Sequence, residues 1–176
     1  SRYKGRIFAW DVVNEAVLTA QMMAPRLRGA DPNDATDPNN TMGNNGRDSI
    51  FRRLIGEDYI DRAFIAANAA DPDAKLFYND FGAEGAGGKS DYIYNMVSGM
   101  VQRGVPIHGV GLQMHVNANP GGNQSAEAVA SNMQRIADLG LEIHITELDV
   151  AICGGNGQLA PLDQRRAQQS QRLIGI

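Results

Sequence analysis

A single cysteine, Cys153, leaves no possibility of a disulfide within the sequence. No apolar run approaches the roughly 18 residues that mark a membrane-spanning helix, so no membrane is expected among the partners. Basic residues are not in excess: 16 Lys and Arg face 20 Asp and Glu, a formal charge of −4. Nucleic-acid binders present a basic patch or stripe, so no nucleic-acid partner is expected either. The opening Ser1-Arg2-Tyr3-Lys4-Gly5-Arg6 has the charge of a signal n-region, but Asp11 and Asn14 interrupt the apolar stretch that would have to follow. Histidine is scarce, with 3 in 176 residues, and Trp10 is the one tryptophan. Glycine is abundant instead, at 20 residues, above the usual share of about 7%. That points to many loops with unusual backbone angles.

The organisation is an alternation. Ile7–Val13 reads as a buried strand, apolar with aromatic and β-branched content. Residues Met22 to Asp48 form a long loop rich in Pro, Gly, Asn and Asp. Glu57–Ala70 reads as a helix, with Ile60, Ala63, Phe64 and Ala67 on one face, ended by Asp71-Pro72. Lys75–Asn79 is a strand, Gly82–Gly88 a glycine-rich loop, and Asp91–Arg103 a helix stopped by Gly104. Val110–Met114 is a strand and Pro120–Asn123 a turn-rich loop; Ser125 caps a helix over Ala126–Leu139 that Gly140 ends. Glu142–Thr146 is a strand, Gly154–Gly157 a loop, and Asp163 opens a last helix. Connections too long for hairpins make this the βα pattern of a parallel α/β sheet. Strands starting near residues 7, 75, 109 and 142 leave last intervals of 34 and 33 residues. A (β/α)₈ barrel of about 250 residues spends roughly 31 per unit.

In such folds sites form at the carboxyl ends of strands. Here those ends carry Asn14-Glu15, Asn79-Asp80, Gln113 with His115, and Glu147 with Asp149. Gln113 and His115 share a face of an ideal strand, and so do Glu147 and Asp149 if the strand continues; Asn14 and Glu15 point apart unless the chain bends there. Two glutamates on different strands suit glycoside hydrolysis, in which one carboxylic acid protonates the leaving oxygen and another carboxylate attacks the sugar carbon or activates water. His115 is placed to orient Glu147, and Asp149 to hold the imidazole. Asn14 and Gln113 are amides suited to uncharged sugar hydroxyls.

The segments Trp10-Asp11-Val12-Val13-Asn14-Glu15-Ala16, Tyr78-Asn79-Asp80, Gly109-Val110-Gly111-Leu112-Gln113-Met114-His115 and Ile145-Thr146-Glu147-Leu148-Asp149 resemble, in order and spacing, the strand-end motifs of family 10 glycoside hydrolases. Those enzymes are chiefly endo-1,4-β-xylanases. The resemblance implies a (β/α)₈ TIM barrel and a retaining double displacement, with the two carboxyls about 5–5.5 Å apart. It implies Glu15 as acid/base and Glu147 as nucleophile, and Asn14 on the hydroxyl at carbon 2. Gln113 would sit beside the nucleophile, Asn79 and His115 would be among the substrate-binding residues, and Asp149 would be supporting. It places the strands as the fourth to seventh of eight. Residues 1–176 would then be a partial catalytic domain, an open half-barrel with exposed edges at Ile7–Val13 and Glu142–Thr146, and with little or no activity by itself. Phe81 departs from the tyrosine of many members. Xylan or xylo-oligosaccharides would be the ligands, no cofactor would be needed, and a polymeric substrate implies secretion. The alternatives are another retaining barrel glycosidase such as a cellulase, whose carboxylates lie on the same strands, and a non-catalytic carbohydrate-binding fragment.

Other readings of single residues are blander. Trp10 inside a strand suits core packing, His108 a structural role, and Asp11 either a partnered inward position or a surface one. A metal site at His144-Ile145-Thr146-Glu147 needs a helix, and the β-branched residues between argue for a strand, so no metal is expected. Gly87-Gly88-Lys89-Ser90 is a chance likeness to the end of a phosphate-binding loop.

Overall fold

The computed structural model describes residues 2–17, 49–118, 124–152 and 161–174. The Met22–Asp48, Pro120–Asn123 and Gly154–Gly157 loops lie outside them, as does Cys153. The elements run β1 (Ala9–Asn14), α1 (Ile50–Ile55), α2 (Tyr59–Ala70), β2 (Lys75–Asp80), α3 (Gly88–Gln102), β3 (Gly109–Leu112), β4 (His115–Asn117), α4 (Ala126–Ala137), β5 (Glu142–Ile145), β6 (Asp149–Ala151) and α5 (Leu162–Ile174). Among the described residues β1, β2, β3 and β5 form one parallel sheet in that order, so β1 and β5 are its edges, as the alternation implied.

Helices α2, α3 and α4 pack on one face of this sheet. Leu76, Tyr78, Val110 and Leu112 point to that side and meet Phe64 of α2, Ile93, Val97 and Met100 of α3, and Ile136 of α4. Strand periodicity alternates these residues with Phe77, Asn79, Gly109 and Gly111, which face the other way. The α4 cap is as expected: Ser125 Oγ accepts from the Ala128 N–H at 3.3 Å. Gly104 and Gly140 both have positive φ, +72° and +80°, just past the helix ends they terminate. α3 starts three residues before Asp91, at Gly88, with Ser90 Oγ donating to the Gly87 carbonyl at 2.8 Å. α2 starts two residues after Glu57, and α1 was not foreseen at all; its cap is Ser49, whose Oγ accepts from Arg52 N–H at 3.2 Å.

Two expectations need correction. Trp10 is not in the core: it is 37% exposed on the edge strand and meets Tyr3 edge-on, with ring centroids 6.5 Å apart. An edge strand has a neighbour on one flank only, so an apolar side chain there need not be enclosed. Second, Val110–Met114 is not one continuous strand, and the strand read over Glu142–Thr146 does not run on to Asp149. β3 ends at Leu112 and β5 at Ile145, and the pair re-forms as a separate two-stranded parallel sheet, β4 with β6. Met114 makes the break, with φ +65°, a left-handed conformation few side chains adopt.

Candidate active site

The polar strand ends converge through backbone departures at two points. Glu15 has φ +55° and its N–H bonds the Asn79 carbonyl at 2.9 Å, so the chain leaves the β1 direction there and brings Asn14 and Glu15 to the same rim. This is the bend that two adjacent ligand-facing side chains require. Segment 15–17 is then tied to β2: the Tyr78 hydroxyl accepts from Ala16 N–H at 3.1 Å, and Asp80 Oδ2 accepts from Val17 N–H at 3.3 Å and from the Tyr78 hydroxyl. Burial first, and then the neighbouring Asp80, holds the Tyr78 phenol well above its usual range.

Asp80 is no solvated strand end. It is 1% exposed, and its Oδ1 accepts from Phe81 N–H at 2.9 Å and Lys89 Nζ at 2.7 Å. Lys89 stands 3.8 Å over the Phe81 ring, a cation–π contact. Sequence reasoning met Lys89 only as part of a chance likeness to a phosphate-binding loop, although it lies four residues before Ile93 on the buried face of α3.

Three amides link the two glutamates. Gln113 Nε2 donates to Glu15 Oε1 at 3.2 Å and to Asn14 Oδ1 at 3.2 Å. Asn79 Nδ2 donates to Asn14 Oδ1 at 2.9 Å and to Glu147 Oε1 at 3.3 Å. Thr146 Oγ1 donates to Asn79 Oδ1 at 2.8 Å, which fixes which end of that amide faces the carboxylate. Asn79 and Gln113 are 3% and 2% exposed, and these bonds fix their amides within the site. Asn14 is different: it is exposed, its oxygen takes both amides, and among the described residues no protein group engages its Nδ2.

Gln113 sits beside Glu147, as the resemblance implied, while its side chain reaches across to Glu15. Its backbone carbonyl is what meets Glu147, accepting that N–H at 3.1 Å. Between Gln113 and His115 the left-handed Met114 breaks the two-residue period of an ideal strand. His115 meets the other glutamate. Its Nε2 lies 3.3 Å from Glu147 Oε2 and its Nδ1 2.6 Å from Asp149 Oδ2, the cross-strand pair of β4 and β6. A neutral imidazole donates from one nitrogen only, so two carboxylate partners favour the imidazolium. The His115 pKa is accordingly raised, chiefly by Asp149, against a smaller desolvation and with a further push from Glu147. Because the folded value exceeds the unfolded one, this interaction stabilises the fold below the ordinary imidazole pKa and fades as pH rises through the raised value. Asp149→Asn removes the largest cause, and NMR titration is expected to show the His115 midpoint falling toward the ordinary value of about 6.5.

Glycines make room for this network. At Gly111 a Cβ would overlap Asn79 Oδ1 and come within 3.1 Å of Thr146 Cγ2. Gly111→Ala is therefore expected to turn the Asn79 amide away from Glu147 and lower any turnover by on the order of 10²-fold; kcat measured with and without the substitution checks it. One turn of strand earlier, Phe77 and His144 stack beside Gly109 with centroids 4.0 Å apart. His108 is structural, its Nδ1 accepting from Leu76 N–H at 3.1 Å. Asp11, also on this side, has its pKa raised mainly by partial burial, with His144 opposing and Glu147 adding.

The model of glycosyl hydrolase family 10 matches residues 1–175. The chain belongs to glycosyl hydrolase family 10. It is 40% identical over 176 residues to endo-1,4-beta-xylanase B of Thermotoga neapolitana, all of this chain and 43% of that protein. The xylanase XynB of Paenibacillus barcinonensis, solved with a conduramine derivative, superposes with a TM-score of 0.76 at 35% identity, over 97% of this chain and 45% of that one. Xylanase 10B of Thermotoga petrophila, solved in complex with xylobiose, gives 0.73 at 34% identity, over 97% of this chain and 43% of that one. The chain thus spans under half the length of these family 10 relatives, and its four-stranded sheet is part of their TIM barrel.

Proposed function

We propose that this chain carries the catalytic carboxylates of an endo-1,4-β-xylanase that retains anomeric configuration. The observation that carries the reading is the amide relay. Two glutamates from the ends of β1 and β5 are joined through Gln113, Asn14 and Asn79, with His115 and Asp149 behind the second. In the first step Glu15 gives its proton to the glycosidic oxygen as Glu147 attacks carbon 1, forming a glycosyl ester and releasing the leaving sugar. In the second, Glu15 takes a proton from water, whose oxygen attacks carbon 1 and frees Glu147. Asn14 Nδ2 is the group suited to a sugar hydroxyl at the attacked ring. The reaction balances with water alone and needs no cofactor. Xylan as substrate is supported by the names of the similar proteins and by the xylobiose held by one of them. Action outside the cell goes with a polymeric substrate.

The test is a reducing-sugar assay of the complete reading frame encoding this chain on xylan against carboxymethylcellulose. NMR of the first-formed product follows its anomeric configuration. Preferential xylan cleavage with a β product is expected. Preference for carboxymethylcellulose would point to a cellulase, no cleavage of either to a carbohydrate-binding role, and an α product would overturn the double displacement.

A further inference from the structure

One buried carboxylate takes no part in the proposed chemistry. Glu84, in the loop between β2 and α3, is 1% exposed. Its Oε1 accepts from Gly82 N–H at 3.0 Å and from Met114 N–H at 3.2 Å, while Oε2 is buried with no hydrogen-bond partner among the described residues. The loop around it is clamped: Asn132 Nδ2 of α4 donates to the carbonyls of Ala83 at 2.8 Å and Glu84 at 3.1 Å, and Arg135 Nε donates to Asn132 Oδ1 at 2.8 Å. Withdrawing a carboxylate from water is costly, and this one caps no helix.

What it holds is the strained residue of the site. Left-handed backbone at a non-glycine residue persists only where the surroundings over-determine it. Met114 is fixed from two sides, by its side chain packed with Val116, Val129 and Val150, and by Glu84 at its N–H. Gln113 on one side of it reaches Glu15, and His115 on the other reaches Glu147.

We infer that Glu84 is a positioning residue for both catalytic glutamates, holding the Met114 kink that sends Gln113 to one and His115 to the other. Its effect on turnover rests on the xylanase reading; its effect on His115 does not.

The experiment titrates the histidines by NMR in the complete protein, with His115, His108 and His144 assigned by single substitution, alongside xylan kinetics. Glu84→Gln keeps an oxygen for both N–H groups and is expected to leave the His115 midpoint near its raised value. Glu84→Ala is expected to lower that midpoint toward the ordinary imidazole value, to leave His108 and His144 unmoved, and to reduce kcat by on the order of 10²-fold with little change in KM. Should Glu84→Ala fail to fold, Glu84→Asp, which keeps the charge and shortens the reach, takes its place under the same criteria. An unmoved His115, a joint shift of all three histidines, or a Gln variant that behaves like Ala would each overturn the inference. If the unaltered protein leaves xylan intact, the xylanase reading fails while the titration still decides the role of Glu84.

Discussion

Glu147→Gln is expected to lower the rate of xylan cleavage by at least about 10⁴-fold, the scale seen when a covalent nucleophile is removed. The substitution is isosteric, and a glutamine oxygen still accepts from Asn79 Nδ2 as Glu147 Oε1 does. Its amide nitrogen, however, would face the His115 ring nitrogen that now lies 3.3 Å from Oε2, and a neutral amide cannot form the glycosyl ester. Glu15→Ala differs in a diagnostic way. A sugar bearing a phenol of low pKa departs without a proton, so its first step survives loss of the acid, whereas cleavage between sugars does not. Burst kinetics with an aryl xyloside, compared with steady-state hydrolysis of xylan, separates the two carboxylates. Equal losses on both substrates in the Glu15 variant would contradict its role as the acid.

The second large effect is on stability. Lys89→Met is expected to cost about 3–5 kcal/mol, because it strands a buried carboxylate whose partner is removed. Both side chains of the Lys89–Asp80 pair are 2% exposed or less. A loss of that size is a large fraction of the 5–15 kcal/mol typical of a domain. Asp80 still keeps the Phe81 and Val17 N–H groups and the Tyr78 hydroxyl, which argues for the lower end of the range. Asp80→Asn combined with Lys89→Met is expected to recover part of the loss, since no charge is then buried. Denaturant titration of the single and double variants measures the coupling, and additive losses would show that the pair does not act as one.

The βα alternation and the polar strand ends were legible because they follow from composition and period. Leu76 and Tyr78 against Phe77 and Asn79 is a plain alternation, and its helix-facing half is the core. The partners of His115 were legible too, since imidazole and carboxylates at neighbouring strand ends leave few other arrangements. The direction of Gln113 was not. It depends on Met114 adopting a backbone conformation that nothing in Leu112-Gln113-Met114-His115 favours locally and that Glu84, 30 residues away, helps to impose. Lys89 and α1 were missed for another reason: they lie just past the loops read over Met22–Asp48 and Gly82–Gly88 and were assigned to no element, whereas Ser49 and Gly87 are the residues at which helices begin.

The split of the β3–β5 pair into two sheets divides the molecule mechanically. The scaffold strands share the large core with α2, α3 and α4, whereas β4 and β6 rest on a smaller cluster of Met114, Val116, Val129 and Val150, with Ala118 and Met133 packed against it. Cooperative opening follows such boundaries, and the smaller unit opens at lower free energy. The imidazole behind Glu147 therefore belongs to the smaller sheet, which is expected to open at lower free energy than β1, β2, β3 and β5. Amide exchange in β4 and β6 would report that motion independently of global unfolding.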